Sequence, residues 1–192
     1  MDVISSAYEV TVAAALAALD IPAEVVLQKR LPLQPEAQDL VPAETDANGR
    51  QYLLTPAAAE AWWSMKAAAA ADGAVMELVS AFRGIAAQSA IIRAKQQQGT
   101  ALATILTLSA APGYSEHHTG RAIDINSPGF AATEEAFEHS AAFAWLQEHA
   151  GRFGFTLSYP RGNALGFIYE PWHWCYQPAC QSNAAADADK IA

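Results

Sequence analysis

Three of the chain's five histidines fall in two short segments that also hold its most unusually placed acidic residues. The first reads Ser115-Glu116-His117-His118-Thr119-Gly120-Arg121-Ala122-Ile123-Asp124-Ile125-Asn126, and the second Tyr169-Glu170-Pro171-Trp172-His173-Trp174. Imidazoles grouped with carboxylates are the donors of a catalytic zinc site, which uses three protein ligands, an open position and a further residue as base. A strand over Ala122–Asn126 turns Ile123 and Ile125 to one face and Asp124 to the other. A carboxylate pinned between isoleucines that need burial requires a partner, and a metal or an arginine is the usual one. Gly120 permits a bend that brings a preceding histidine beside Asp124, but spacing does not choose between His117 and His118. In the second segment Pro171 disfavours a helical conformation at Glu170, so a strand is expected to end there. The turn that starts at Pro171 can then present Glu170 and His173 to one space. A competing reading has the histidines capping turns and Asp124 paired with Arg121, and the residues by themselves leave both open. No His-Glu-x-x-His occurs, which excludes a zincin. His139 and His149 have no constellation around them and are expected at the surface.

The elements that must position these groups are legible in part. Thr55 as N-cap, Pro56 in the first turn and Gly73 at the end bound a helix. Its Trp62, Trp63 and Met65 read as packing residues. Residues 75–81 read as a strand that ends at Phe82-Arg83-Gly84, and residues 85–98 as a helix stopped by Gly99. A third helix is expected over 133–150, then strands over 155–158 and 166–170 joined by the turn Pro160-Arg161-Gly162-Asn163. Residues 8–19 read as a helix. Pro22, Pro32, Pro35 and Pro42 then argue for extended or looping chain packed over the core. Short strands mixed with helices predict an α+β domain with a central antiparallel sheet flanked by helices. The expected division is a packed N-terminal segment over 1–50, the domain proper over 51–180, and a frayed tail over 181–192.

The chain has 192 residues, 52% of them hydrophobic and 16% charged, which suits one globular domain. A net charge of −9 argues against nucleic acid, which needs a basic stripe. The alanine-rich stretches 11–19 and 67–71 are too short and too weakly apolar to span a bilayer. Residues 1–19 lack the basic start of a signal peptide and carry Asp2 and Glu9, so a helix is expected there. A cytosolic protein, or an exported one whose leader has been removed, would both fit. Cys175 and Cys180 are either free thiols or a local disulfide closed by a turn at Pro178. A second zinc site would need two more ligands, which the sequence lacks.

The run from Tyr114 to Asp124 is similar to the S-x-H-x-x-G-x-A-x-D motif of the VanY-type D-alanyl-D-alanine carboxypeptidases. These belong to a wider group with the lysostaphin-type and D-Ala-D-Ala metallopeptidases. Glu170-Pro171-Trp172-His173 resembles the same family's E-P-W-H. Phe82-Arg83-Gly84-Ile85-Ala86-Ala87-Gln88 resembles its F-R-S-x-x-x-Q, with Gly84 in place of the commoner serine. The three motifs occur in the family's order, and the resemblance spans about residues 52–176. It implies that His117 rather than His118 joins Asp124 and His173 in holding zinc, with Glu170 as general base. By the same resemblance Arg83 meets a substrate carboxylate or a developing oxyanion, and Ser115 and Gln88 hydrogen-bond the substrate. The implied fold is a small α+β domain whose antiparallel sheet lines a zinc cleft.

The implied activity is removal of a terminal D-alanine, or another D-residue, from peptidoglycan stem peptides or their precursors by a monomer. An endopeptidase, a D-Ala-D-Ala dipeptidase and a zinc-stabilised module that binds wall peptides without cleaving them are the alternatives. Glu170 argues against the last, because a binder needs no base beside its metal. D,D- and L,D-specificity both remain open.

Overall fold

The computed structural model describes residues 3–177; the expected tail over 181–192 and Cys180 lie outside the described residues. Among the described residues, six α-helices and six strands follow in the order α1 (Val3–Ala17), α2 (Ala23–Gln28), β1 (Val41–Thr45), β2 (Gln51–Leu54), α3 (Pro56–Ala71), β3 (Glu77–Ser80), α4 (Ile85–Gln97), α5 (Leu102–Leu108), β4 (Ala122–Asn126), α6 (Ala141–His149), β5 (Phe155–Leu157) and β6 (His173–Tyr176). The main sheet is antiparallel, in the order β3-β4-β6-β5, and β1 and β2 form a separate hairpin. The expected α+β architecture is therefore the observed one. Among the described residues no helix is long and apolar enough to cross a membrane.

The alternation in β4 decides where the core ends and the site begins. Ile123 and Ile125 are fully buried with Leu78 and Trp174 of the neighbouring strands, against Trp62 and Met65 of α3 and Phe143 and Leu146 of α6. Asp124 points the other way, and the register sets it opposite Ser80 on β3 and His173 on β6. A second cluster forms where Val12 and Leu16 of α1 pack with Ile85 and Ile92 of α4 and Ile105 and Leu106 of α5. Each buried aliphatic side chain there contributes roughly 1.5–3 kcal/mol, which ties the N-terminal helix to the helix behind Arg83.

Three expectations need correction. The proline-punctuated segment holds a short helix, α2, and a strand, β1, besides looping chain. Pro42 is tolerated in β1 because the pairing with β2 is irregular between Pro42 and Glu44. The single helix expected over 133–150 is broken. Thr133 has a positive φ of 57°, residues Glu135–His139 form a 3₁₀ turn, and α6 starts afresh with the Ser140 hydroxyl accepting from the Phe143 N–H. Finally, residues 166–170 are not a strand. Their amides bond to scattered carbonyls instead, Ile168 to Thr107 and Glu170 to Tyr159 (both 3.0 Å). The turn at Pro171 thus leads into a strand, β6, rather than out of one. α5 was not foreseen either.

Candidate metal centre

Glu116–Thr119 form one 3₁₀ turn that ends at Gly120, whose φ is 64°. A side chain there would be strained, and its Cβ would lie 2.8 Å from Leu40 and 3.2 Å from both Ala37 and Thr55. Only glycine lets the chain turn this tightly into β4, and the turn carries His117 back beside Asp124.

His117 is buried, and its Nδ1–H donates to the Ala81 carbonyl over 2.6 Å. The other nitrogen, Nε2, therefore carries a lone pair. It faces Asp124 Oδ2 at 3.3 Å and has no hydrogen-bond partner among the described residues. Burial first, and then the charge of Arg83, depress its pKa to about 4 against the pull of Asp124, so the ring is neutral. Two acceptors face each other across a space that a cation would fill. His118 differs. Its Nδ1–H donates to the Arg83 carbonyl and its Nε2 accepts from the Gly113 N–H (3.0 Å), which leaves no nitrogen for a metal.

His173 opens β6 directly opposite Asp124, with Nδ1 2.9 Å from Asp124 Oδ1 and Nε2 2.9 Å from Glu116 Oε2. Its ring stacks on Tyr159 (4.8 Å) and meets the His117 ring edge-on (4.9 Å). Burial works against its protonated form, yet the Asp124 and Glu116 carboxylates hold its pKa up to about 10. The pocket thus demands positive charge, which a divalent cation supplies while displacing the proton. One donor atom each from His117, Asp124 and His173 lie within 4.8 Å of one another. Ligands around a tetrahedral ion with bonds of about 2.1 Å stand roughly 3.4 Å apart. Neutral imidazole, carboxylate and imidazole make a suitable set for zinc.

Arg83 leaves the end of β3 and lies half-buried beside this group. Its Nη1 donates to Ser80 Oγ (2.6 Å) and Asp124 Oδ2 (3.3 Å), and its Nε donates to Gln88 Oε1 (3.2 Å). The arginine that pairs with Asp124 is therefore Arg83, not Arg121. Glu170 is buried 3.9 Å from His173 Nδ1, and a turn closed by the His173 N–H on the Glu170 carbonyl holds the two together. Burial, foremost, pushes its pKa up to about 7. Arg83, Ser115, His117, Asp124, Glu170 and His173 all line one cleft of about 340 Å³. Gln88 does not: it is 1% exposed, and its amide N–H donates to the Ala110 carbonyl at 2.8 Å.

Residues 51–179 match the family model of VanY, D-alanyl-D-alanine carboxypeptidase. The chain belongs to the VanY family. It is 34% identical over 119 residues to a D-alanyl-D-alanine carboxypeptidase of Enterococcus faecalis, covering 57% of this chain and 42% of that one. Among solved structures, the LD-carboxypeptidase LdcB superposes with a TM-score of 0.66 at 31% identity, over 76% of this chain and 71% of LdcB. A variant of the vancomycin-resistance D,D-pentapeptidase VanY, in complex with Zn(II), gives 0.57 at 29% identity, over 75% and 86%. The chain spans about half the length of the curated relatives it matches.

Within this VanY-family cleft the structure adds residues that the sequence reading passed over. Glu116 holds His173 and accepts from Ser158 Oγ (2.6 Å), Ser80 braces Arg83, and Tyr159 floors the His173 ring. Glu116 sits in the variable position of S-x-H, where a carboxylate beside a candidate ligand could have been noticed; Tyr159 left no such signal. His139 is exposed as expected, whereas His149 is half-buried against Trp145. Trp62 and Met65 are fully buried and Trp63 lies at the rim, 49% exposed. Cys175 is buried, and its thiol is pushed up to about 12, chiefly by that burial.

Proposed function

We propose that this chain is a zinc-dependent carboxypeptidase that hydrolyses the terminal D-alanine, or another D-residue, from peptidoglycan stem peptides or precursors. The observation that carries the reading is the unpartnered His117 Nε2 facing Asp124 and His173, with Glu170 across the same cleft. His117 through Nε2, Asp124 through its carboxylate and His173 through Nδ1 would hold the metal. Bound there, zinc supplies Lewis acidity toward the scissile carbonyl and toward water.

The chain's own residues do the rest. Glu170, fixed by the turn to His173, takes the proton of the attacking water and returns it to the leaving amine. Arg83 Nη2 has no hydrogen-bond acceptor among the described residues, so it can meet negative charge developing in the cleft. Ser80 and Gln88 orient that guanidinium in advance, a role that suits the buried Gln88 better than contact with substrate. Ser115, buried at the cleft wall, hydrogen-bonds the peptide. The partner is a peptidoglycan peptide and the protein acts as a monomer.

Mass spectrometry of stem tetra- and pentapeptides, incubated with and without chelator, tests the reading. Loss of a single C-terminal residue, abolished by chelator and restored by zinc, is the expected result. Internal cleavage, or cleavage indifferent to chelator, would overturn it.

A further inference from the structure

Gln88, Ile91 and Lys95 follow one another at spacings of three and four along α4, so they share a face of that helix. Gln88 anchors Arg83 and lies behind the cleft wall, but Ile91 and Lys95 line the cleft itself, together with Ser109 and Glu170. Lys95 is half-buried, and its Nζ donates to Ser109 Oγ over 2.9 Å. No carboxylate lies within ion-pair distance of it among the described residues. A neutral hydroxyl satisfies one of an ammonium's three donors and none of its charge. Burial lowers the pKa of Lys95, and the facing charge of Glu170 partly restores it.

Arg83 cannot serve as the cleft's only anion receptor. A carboxylate grips a guanidinium in two-point fashion, either through Nη1 and Nη2 or through Nε and Nη2. Both arrangements are compromised, since Nη1 is engaged by Ser80 and Asp124 and Nε by Gln88. What remains suits a single oxygen. Lys95 is the other cation lining the same wall.

We propose that Lys95 and Ser109 form a carboxylate-binding subsite of the substrate cleft. The subsite rests on the peptidase reading above and extends it to substrate choice. Its ligand is a carboxylate, from either of two sources: the C-terminus of the leaving residue, or the side chain of a dicarboxylic residue on the acyl side. The ammonium meets that anion as a point charge while the Ser109 hydroxyl donates to it.

Calorimetry separates binding from cleavage. Three stem peptides, one with both carboxylates free, one amidated at the C-terminus and one amidated on the acyl-side chain, are titrated into zinc-loaded Glu170→Gln protein and into Glu170→Gln/Lys95→Gln. The added Lys95→Gln should weaken the free peptide about tenfold or more, in keeping with loss of one charge-assisted contact. It should leave unaffected the peptide whose relevant carboxylate is already amidated, and thereby identify the source. Lys95→Arg should recover part of the loss. The proposal is overturned if all three peptides weaken equally, if none changes, or if none binds. Failure of the peptidase reading would show separately, as wild-type protein that does not cleave.

Discussion

Glu116 Oε2 lies 2.9 Å from Nε2 of His173, while Nδ1 of His117 is held by the Ala81 carbonyl at 2.6 Å, so the two imidazoles turn opposite nitrogens toward the candidate metal position. Each ring has its tautomer set by the acceptor behind it. A carboxylate behind a ligating imidazole also raises its basicity, and losing such a partner typically costs ten- to a hundredfold in metal affinity. Glu116→Ala should therefore lower zinc affinity by about that factor, and Glu116→Gln, which keeps an acceptor oxygen, by less. Competition with a chromophoric chelator measures it. Unaltered affinity in Glu116→Ala would show that Glu116 does not support the ligand.

Metal content separates the neighbouring histidines. Purified protein should carry about one zinc per chain, and His117→Ala, Asp124→Ala and His173→Ala should each lose it. His118→Ala should largely retain it, yet lose roughly 1–3 kcal/mol of stability because the Gly113 N–H and the Arg83 carbonyl are left without their partner. Elemental analysis beside thermal unfolding reads both quantities. Zinc lost from the His118 variant and kept in the His117 variant would reverse the ligand assignment.

The base is tested by an isosteric change. Glu170→Gln preserves the turn that joins it to His173, but its amide cannot accept the proton. Activity should fall by about 10²–10⁴ with zinc retained. A variant that still cleaves stem peptides near the wild-type rate would remove Glu170 from the mechanism.

Gly120→Ala should destabilise the fold. The residue sits at φ 64°, and the new Cβ would press on Leu40, Ala37 and Thr55. Left-handed strain alone costs of order 1–3 kcal/mol. A lower melting temperature, with weakened zinc binding because the 3₁₀ turn carrying His117 is displaced, is the expected outcome; unchanged melting would mean that the turn adapts.

Much of the site was legible because its logic is local. The Ile123-Asp124-Ile125 alternation by itself announces one face for the core and one for chemistry, and a glycine between a histidine and that aspartate announces the bend. The segments around Arg83, His117 and Glu170 carry family motifs that can be read without any coordinates. Residues alone could not choose His117 over His118. That choice depends on which imidazole keeps a free nitrogen, and so on the Ala81 and Arg83 carbonyls some 36 and 35 residues away. The arginine beside Asp124, which the competing local reading made Arg121, is Arg83, 41 residues distant, because antiparallel pairing sets β3 beside β4. Likewise residues 166–170, a short run of Phe167, Ile168 and Tyr169 after a turn-rich loop, read as a strand, but their amides find carbonyls in loops, and the ladder goes to His173–Tyr176. Glu116 behind His173 and Lys95 beside Ser109 were decided only when the sheet register and the packing of α4 brought distant segments together. A side chain's type is written in the sequence, but whether its polar atoms are engaged or left free to act is a property of neighbours that only folding supplies.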